Sequence, residues 1–224
     1  MKLSIVITTF DREKVLKGLL DNLKSQTDKD FEVVVAMDNC MDNTEAMLKK
    51  YKGLDLKWVD TETDGYGLAR ARNMGIQKAT GEAIVILDDD SYPDIHFVEE
   101  HKRTATRGVL TGGARHPDTE EDVDNLNSKM QFLLDHYGYR QIKKLDTFVV
   151  ENNCCMMKAN WLQNPFNEEI RHYGGVGQDF IKKLRENNYN FQFNPDAKIV
   201  HLSSYKRNYY DLYVNNGREK QVKT

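Results

Sequence analysis

Apolar runs of strand length alternate with amphipathic stretches of helix length through the first half of the chain. The strand-like runs cover residues 3–9, 31–37, 54–59 and 83–87, and the spacing of apolar side chains between and after them predicts helices over about 13–25, 44–51, 68–79 and 94–104. Continuous rather than alternating apolar strands in βαβα order predict an α/β fold, with a mostly parallel central sheet covered by helices on both faces. The second half is less regular. It offers a polar loop over 116–124, a helix over about 126–137, short apolar runs at 148–150 and 154–157, and a glycine-rich turn at 174–177 leading into a helix over 180–187. No internal repeat, low-complexity tract or linker interrupts the 224 residues, so one domain is expected, with two functional halves meeting at about residue 110.

In an open parallel sheet the ligand crevice lies beyond the carboxyl ends of the strands. Here those ends read Thr8-Thr9-Phe10-Asp11-Arg12, Asp38-Asn39 and Asp88-Asp89-Asp90. Adjacent carboxylates repel one another, and holding three at the mouth of a buried strand is unfavourable unless something neutralises them. Hard oxygen ligands favour Mg²⁺ or Mn²⁺, commonly with a substrate diphosphate completing the coordination. The plainer alternative is a solvated acidic turn leading into Ser91-Tyr92-Pro93.

Charge and cysteine usage narrow the partners. A net charge of −3 with 30% charged residues provides no basic field for nucleic acid. Cys154 and Cys155 are adjacent and Cys40 is remote, which makes neither a disulfide framework nor a spaced zinc site and fits free thiols in a reducing compartment. No apolar run reaches the roughly 18 residues of a membrane span. The opening apolar run is too short for a signal peptide, so a soluble, cytoplasmic chain is expected. Lys206-Arg207-Asn208-Tyr209-Tyr210 joins basic and aromatic residues as peripheral membrane contact requires, although a solvated helix has the same composition.

Several segments together resemble family 2 glycosyltransferases of the GT-A fold. They are the opening Ser4-Ile5-Val6-Ile7-Thr8-Thr9-Phe10-Asp11-Arg12, the stretch Asp38-Asn39-Cys40-Met41-Asp42-Asn43-Thr44, and Ala69-Arg70-Ala71-Arg72-Asn73-Met74-Gly75-Ile76 leading to Gly81-Glu82 and the aspartate run. Tyr173-Gly174-Gly175-Val176-Gly177-Gln178-Asp179-Phe180 is similar to the family's glycine-rich turn, and Val200-His201 to its late metal-ligand histidine. The resemblance covers nearly the whole chain.

That resemblance implies a nucleotide-diphosphate sugar as donor. Thr8, Thr9, Phe10, Arg12 and Asp38 are then expected to take the nucleoside, with Asp38 accepting a hydrogen bond from a uracil edge; a turn or helix cap is its other reading. Asp88 is expected at ribose or sugar hydroxyls, Asp89 toward the sugar or behind the metal ligands, and Asp90 and His201 on Mn²⁺ (or Mg²⁺), the imidazole suiting Mn²⁺ better. Arg70 and Arg72 lie two apart on a helix and so face different directions, and family likeness puts Arg70 nearer the ligand. Asp179 is the expected base, drawing the proton from the acceptor hydroxyl, with N-capping as its alternative. Two departures stand out: Gln178 replaces the family's usual glutamate, and Asn39-Cys40 stand where small residues are common.

The function these features imply is metal-dependent, inverting transfer of a sugar, with UDP the expected nucleotide, to a hydroxyl of a glycan or glycoconjugate. A non-catalytic sugar-nucleotide-binding protein would need the same donor site. A sugar nucleotidyltransferase would need a glycine-rich basic loop after the first strand, which Thr8-Thr9-Phe10-Asp11-Arg12 does not supply. For the acceptor, His172, Tyr173, Trp161, Tyr137 and Tyr139 are candidate stacking residues, and the 116–124 loop a candidate lid.

Overall fold

The computed structural model describes residues 1–117 and 152–202. Most of the 116–124 loop, the 126–137 helix, the 148–150 run, Tyr137, Tyr139 and the 206–210 segment lie outside the described residues. In chain order the elements are β1 (Leu3–Thr9), α1 (Glu13–Leu23), β2 (Phe31–Met37), α2 (Thr44–Lys50), β3 (Leu56–Asp60), α3 (Leu68–Lys78), β4 (Ala83–Asp88), β5 (Ser91–Pro93), α4 (Phe97–Thr104), β6 (Val109–Pro117), β7 (Cys154–Met157), α5 (Lys158–Gln163), α6 (Val176–Glu186) and β8 (Asn190–His201).

The strands form one sheet in the order β3-β2-β1-β4-β7-β6-β8-β5. The first four run parallel; β7 lies antiparallel between β4 and β6, β8 runs parallel to β6, and β5 closes the far edge antiparallel to β8. Alternation along the buried strands then sorts side chains to two cores. Leu3, Ile5, Ile7, Val33, Val35, Val85 and Leu87 meet Leu16, Leu19, Leu20 and Leu23 of α1 and Phe97 and Val98 of α4. Val6, Val34, Ile84 and Ile86 meet Ile76 of α3, Trp161 of α5 and Phe180 and Leu184 of α6. Helices thus cover both faces, as the continuous apolar strands require. Each fully buried leucine of α1 contributes about 1.5–3 kcal/mol of transfer free energy.

The strands that sequence pattern did not reveal are β5, β6 and β8. In β6 the run is broken by Gly112-Gly113, yet Gly113 is needed there: a Cβ would come within 2.2 Å of the Ala197 carbonyl oxygen. In β8, Asn194-Pro195-Asp196 interrupt the apolar alternation, and β6 and β8 change register between Gly113 and Ala114. Helix α4 begins at Phe97 rather than near residue 94, because Asp94 Oδ1 accepts the His96 N–H at 3.0 Å in a turn. Helix α6 begins earlier than its apolar pattern, at Val176. Gly175 supplies a positive φ of 90° at its start, and Gln178 Oε1 accepts the Gly175 N–H at 3.1 Å. No helix among the described residues is long and apolar enough to cross a membrane.

Candidate active site

Asp88, Asp89 and Asp90 leave the end of β4 beside the end of β1, where the two strands are in parallel register from Leu3 with Ala83 to Thr8 with Asp88. The first residues after β1 turn back toward them. Arg12 Nη1 reaches Asp89 Oδ1 at 2.6 Å and Asp90 Oδ2 at 3.2 Å, while Thr9 Oγ1 donates to Asp89 Oδ2 at 2.7 Å. From α3, Arg72 Nη2 donates to Asp88 Oδ1 at 3.2 Å. At the end of β8, His201 Nε2 stands 3.4 Å from Asp90 Oδ1.

The three carboxylates differ in exposure. The Asp88 side chain is 34% accessible and the Asp89 side chain 3%. Burial pushes the Asp89 carboxyl above its ordinary range; Arg12 pulls the other way and the Asp90 charge adds to the rise. Asp89 is therefore a strut that aligns Arg12, and Asp88 is the member of the run that faces solvent.

These groups open on a cleft of about 360 Å³. It is lined by Thr8, Arg12, Arg72, Asp88, Asp89, Asp90 and His201, by Tyr66 and Leu68 around the start of α3, and by Tyr173, Gly174, Gly175, Val176 and Gln178 around the start of α6. Gly174 and Gly175 have φ of 84° and 90°, a conformation that glycine adopts without strain, and they present bare backbone to the cleft.

The expected site residues divide accordingly. Thr8, Arg12, Asp88, Asp89, Asp90 and His201 come together at the cleft. Thr9 stands behind it, holding Asp89. Phe10 is buried in the core with Tyr66 and Ala69. Asp38 is 2% exposed and fastens the loop after β3, accepting from the Gly67 N–H at 3.0 Å and from Thr61 Oγ1 at 3.3 Å. A Cβ on residue 67 would fall 2.3 Å from Asp38 Oδ1, so that position needs glycine. Asp179 lies one residue past the cleft-lining Gln178; its Oδ2 is buried and has no hydrogen-bond partner among the described residues. Trp161 is fully buried, stacked on Phe180 at 5.1 Å, so it packs the core rather than offering a face to an acceptor. Tyr173 is 48% exposed at the cleft.

Of the two α3 arginines it is Arg72 that lines the cleft. Two residues of helix turn the side chain by about 200°, and Arg70 accordingly points away, 3.6 Å from Glu168 in a separate pocket. Tyr66, Arg115 and Asn152 also line the cleft without a strong sequence signal. The nearest clue to Asn152 is the polar Asn152-Asn153 pair before the apolar run of β7.

A divalent cation fits these residues. Asp90 Oδ1 is a buried oxygen without a hydrogen bond among the described residues, and it stands 3.4 Å from an imidazole nitrogen. Adjacent ligands of one octahedral ion with bonds near 2.1 Å lie about 3 Å apart. Asp11, Cys40 and Asp42 also converge. There the Asp11 and Asp42 oxygens accept backbone N–H groups of Met41, Asp42, Glu13 and Thr44, which makes that cluster a clasp between two loops.

The chain superposes on Staphylococcus aureus TarS in complex with UDP-GlcNAc with a TM-score of 0.69 at 21% identity, covering 91% of this chain and 59% of that one. A Pyrobaculum calidifontis mannosyltransferase in complex with GDP-Man and Mn²⁺ gives 0.65 at 21% identity, covering 89% and 56%. The fold is that of the GT-A glycosyltransferases. The model of Glycosyl transferase family 2 matches residues 4–165, and the chain belongs to that family. Among curated relatives, a chondroitin synthase of Escherichia coli is 37% identical over 89% of this chain and 34% of its own length. The poly(ribitol-phosphate) beta-N-acetylglucosaminyltransferase TarS of S. aureus is 30% identical over 60% of this chain and 26% of its own. The chain spans about a third or less of the length of the curated relatives it matches.

Proposed function

We propose that this chain catalyses metal-dependent, inverting transfer of a sugar from a nucleotide-diphosphate sugar, with UDP as the nucleotide, to a hydroxyl of a glycan or glycoconjugate, in the building of a polysaccharide. The observation that carries the reading is the charge arrangement at the cleft: three carboxylates share Arg12 and Arg72, and one of their oxygens, Asp90 Oδ1, faces His201. The TarS structure with UDP-GlcNAc supports UDP as the nucleotide. The cysteines Cys40, Cys154 and Cys155 are free thiols, which supports a cytoplasmic setting.

Asp90 and His201 are the residues that would hold the ion, which when bound would supply positive charge to the departing nucleoside diphosphate. Asp88, the most exposed of the run, meets hydroxyls of the ribose or the donor sugar. Asp89 and Thr9 keep Arg12 in one orientation, so its guanidinium is preorganised at the diphosphate end of the cleft. The acceptor lies along the Gly174-Gly175 backbone beside Tyr173, and its hydroxyl gives its proton to Asp179 as it attacks the anomeric carbon opposite the diphosphate. A single displacement of this kind inverts the anomeric centre. Gln178 does not weaken the reading, since its side-chain carbonyl caps α6 as a glutamate carboxylate would.

The test is incubation with Mn²⁺ and a panel of nucleotide sugars, following nucleoside diphosphate release with and without glycan acceptors. Acceptor-stimulated release is expected. Donor binding without release would make the chain a binding protein, and pyrophosphate release a nucleotidyltransferase. Asp179→Asn should keep donor binding while lowering turnover by about 10²–10⁴-fold.

A further inference from the structure

Asn152 brackets the aspartate run from outside it. It is 3% exposed and lines the cleft. Its Oδ1 accepts the Asp88 N–H at 3.0 Å, and its Nδ2 donates to Ser91 Oγ at 2.9 Å. Asp88 ends β4 and Ser91 begins β5, so one planar amide spans both ends of the turn that carries all three carboxylates.

The amide is itself held in place by the next residue. The Asn153 N–H donates to the Ile86 carbonyl at 2.8 Å, and its Nδ2 donates to the carbonyls of Ala114 and Ala197 at 3.0 and 2.9 Å. Its Oδ1 meets His101 Nε2 at 2.8 Å. Asn153 thereby ties β4, β6, β8 and α4 together and gives Asn152 a rigid base. Mutual repulsion of the carboxylates favours opening the turn, and a neutral amide resists that opening with a donor and an acceptor while adding no fourth negative charge.

Resting on the metal-dependent reading above, we propose that Asn152 is a positioning residue that sets divalent-cation affinity, by fixing where Asp88 and Asp90 stand relative to His201. Its side chain holds the Asp88 N–H and Ser91 Oγ and makes no hydrogen bond to the Asp90 or His201 side chain. Groups that orient metal ligands in this way typically change affinity by about 10–100-fold when removed.

The experiment is calorimetric titration of Mn²⁺ alone onto the wild type, Asn152→Ala, Ser91→Ala and the double variant, with thermal melting of each. Asn152→Ala should weaken Mn²⁺ binding by about 10–100-fold. Ser91→Ala should weaken it less, and the double variant should bind no worse than Asn152→Ala, because both changes cut the same clamp. Glu32→Gln, at the opposite end of the strands, serves as a control that lowers the melting temperature and keeps wild-type Mn²⁺ affinity. If Asn152→Ala melts lower yet binds Mn²⁺ like the wild type, the residue is merely structural and the proposal is overturned. Should that variant not fold, Ser91→Ala decides: weakened binding supports the clamp, and unchanged binding overturns it. If the wild type takes up Mn²⁺ only with UDP present, the same series is read with UDP; a wild type that takes up none in either case would bring down the metal reading itself, and this inference with it.

Discussion

At the amino end of the parallel strands Glu32 is fully buried and surrounded by donors. Ser4 Oγ at 2.6 Å, Lys57 Nζ at 2.6 Å, the Thr80 N–H at 2.5 Å and Thr80 Oγ1 at 2.7 Å all point at its carboxylate. Burial opposes its charge, but the hydrogen bonds from Lys57, Ser4 and Thr80 outweigh it and hold the carboxyl well below the usual range. At the carboxyl end of the same strands, three aspartates share two arginines, and burial pushes Asp89 the other way. The amino-end carboxylate is saturated and joins β1, β2 and the loop before β4. Among the described residues the carboxyl-end group pairs three carboxylates with two guanidinium groups, and a divalent cation would supply the missing positive charge. A buried carboxylate by itself therefore says little; the number of donors around it separates a structural group from a binding one.

That contrast can be broken most directly at Asp90. Asp90→Ala should abolish Mn²⁺-dependent donor binding and lower transfer by about 10³-fold or more, while leaving the melting temperature unchanged or raised because one of three like charges is gone. A melting temperature several degrees lower would show that the run is a structural network after all. Glu32→Gln should do the reverse. It should destabilise the fold by about 3 kcal/mol in chemical denaturation and leave the specific activity of the folded protein unchanged.

Acid sharpens the same comparison. Burial lowers the His101 pKa to about 4. Unfolded histidine titrates near 6.5, so below that pH the unfolded chain takes a proton that the native one refuses, and stability falls as pH drops. The loss between pH 7 and pH 5 should be about 2 kcal/mol, and His101→Gln should remove this slope. Glu32 acts in the same direction at lower pH, since a depressed carboxylate contributes stability only while it stays ionised. The smallest effect separates the α3 arginines. Arg72→Ala should weaken UDP binding by about tenfold, and Arg70→Ala by less than about threefold.

How much was legible follows the physics of each element. β1, β2 and β4 are buried on both sides and so read as unbroken apolar runs. α1 repeats Val15, Leu16, Leu19, Leu20 and Leu23 on one face, and its start at Glu13 needed no guess. β6 and β8 were hidden because Gly112-Gly113 and Asn194-Pro195-Asp196 serve a close strand crossing and a register change, features that satisfy partners distant in sequence. In the cleft, the polar ends of β1 and β4 announced Thr8, Arg12 and the aspartates. Arg115 gave no local signal and Asn152 only its polar neighbour Asn153, since their place depends on which strands pair with β4 and β8.

The sequence by itself determined the βαβα order, the two-sided burial of the first strands and the convergence of polar strand ends on one crevice, because periodicity and strand-end composition are local properties of the chain. Only the tertiary structure decided which arginine of α3 faces the aspartates, that Asp89 supports Arg12, that Asp38 fastens Gly67, and that Asn152 spans the turn between β4 and β5. Each of those assignments is a contact between segments far apart in sequence, set by helix rotation and strand pairing, and a one-dimensional pattern carries no record of either.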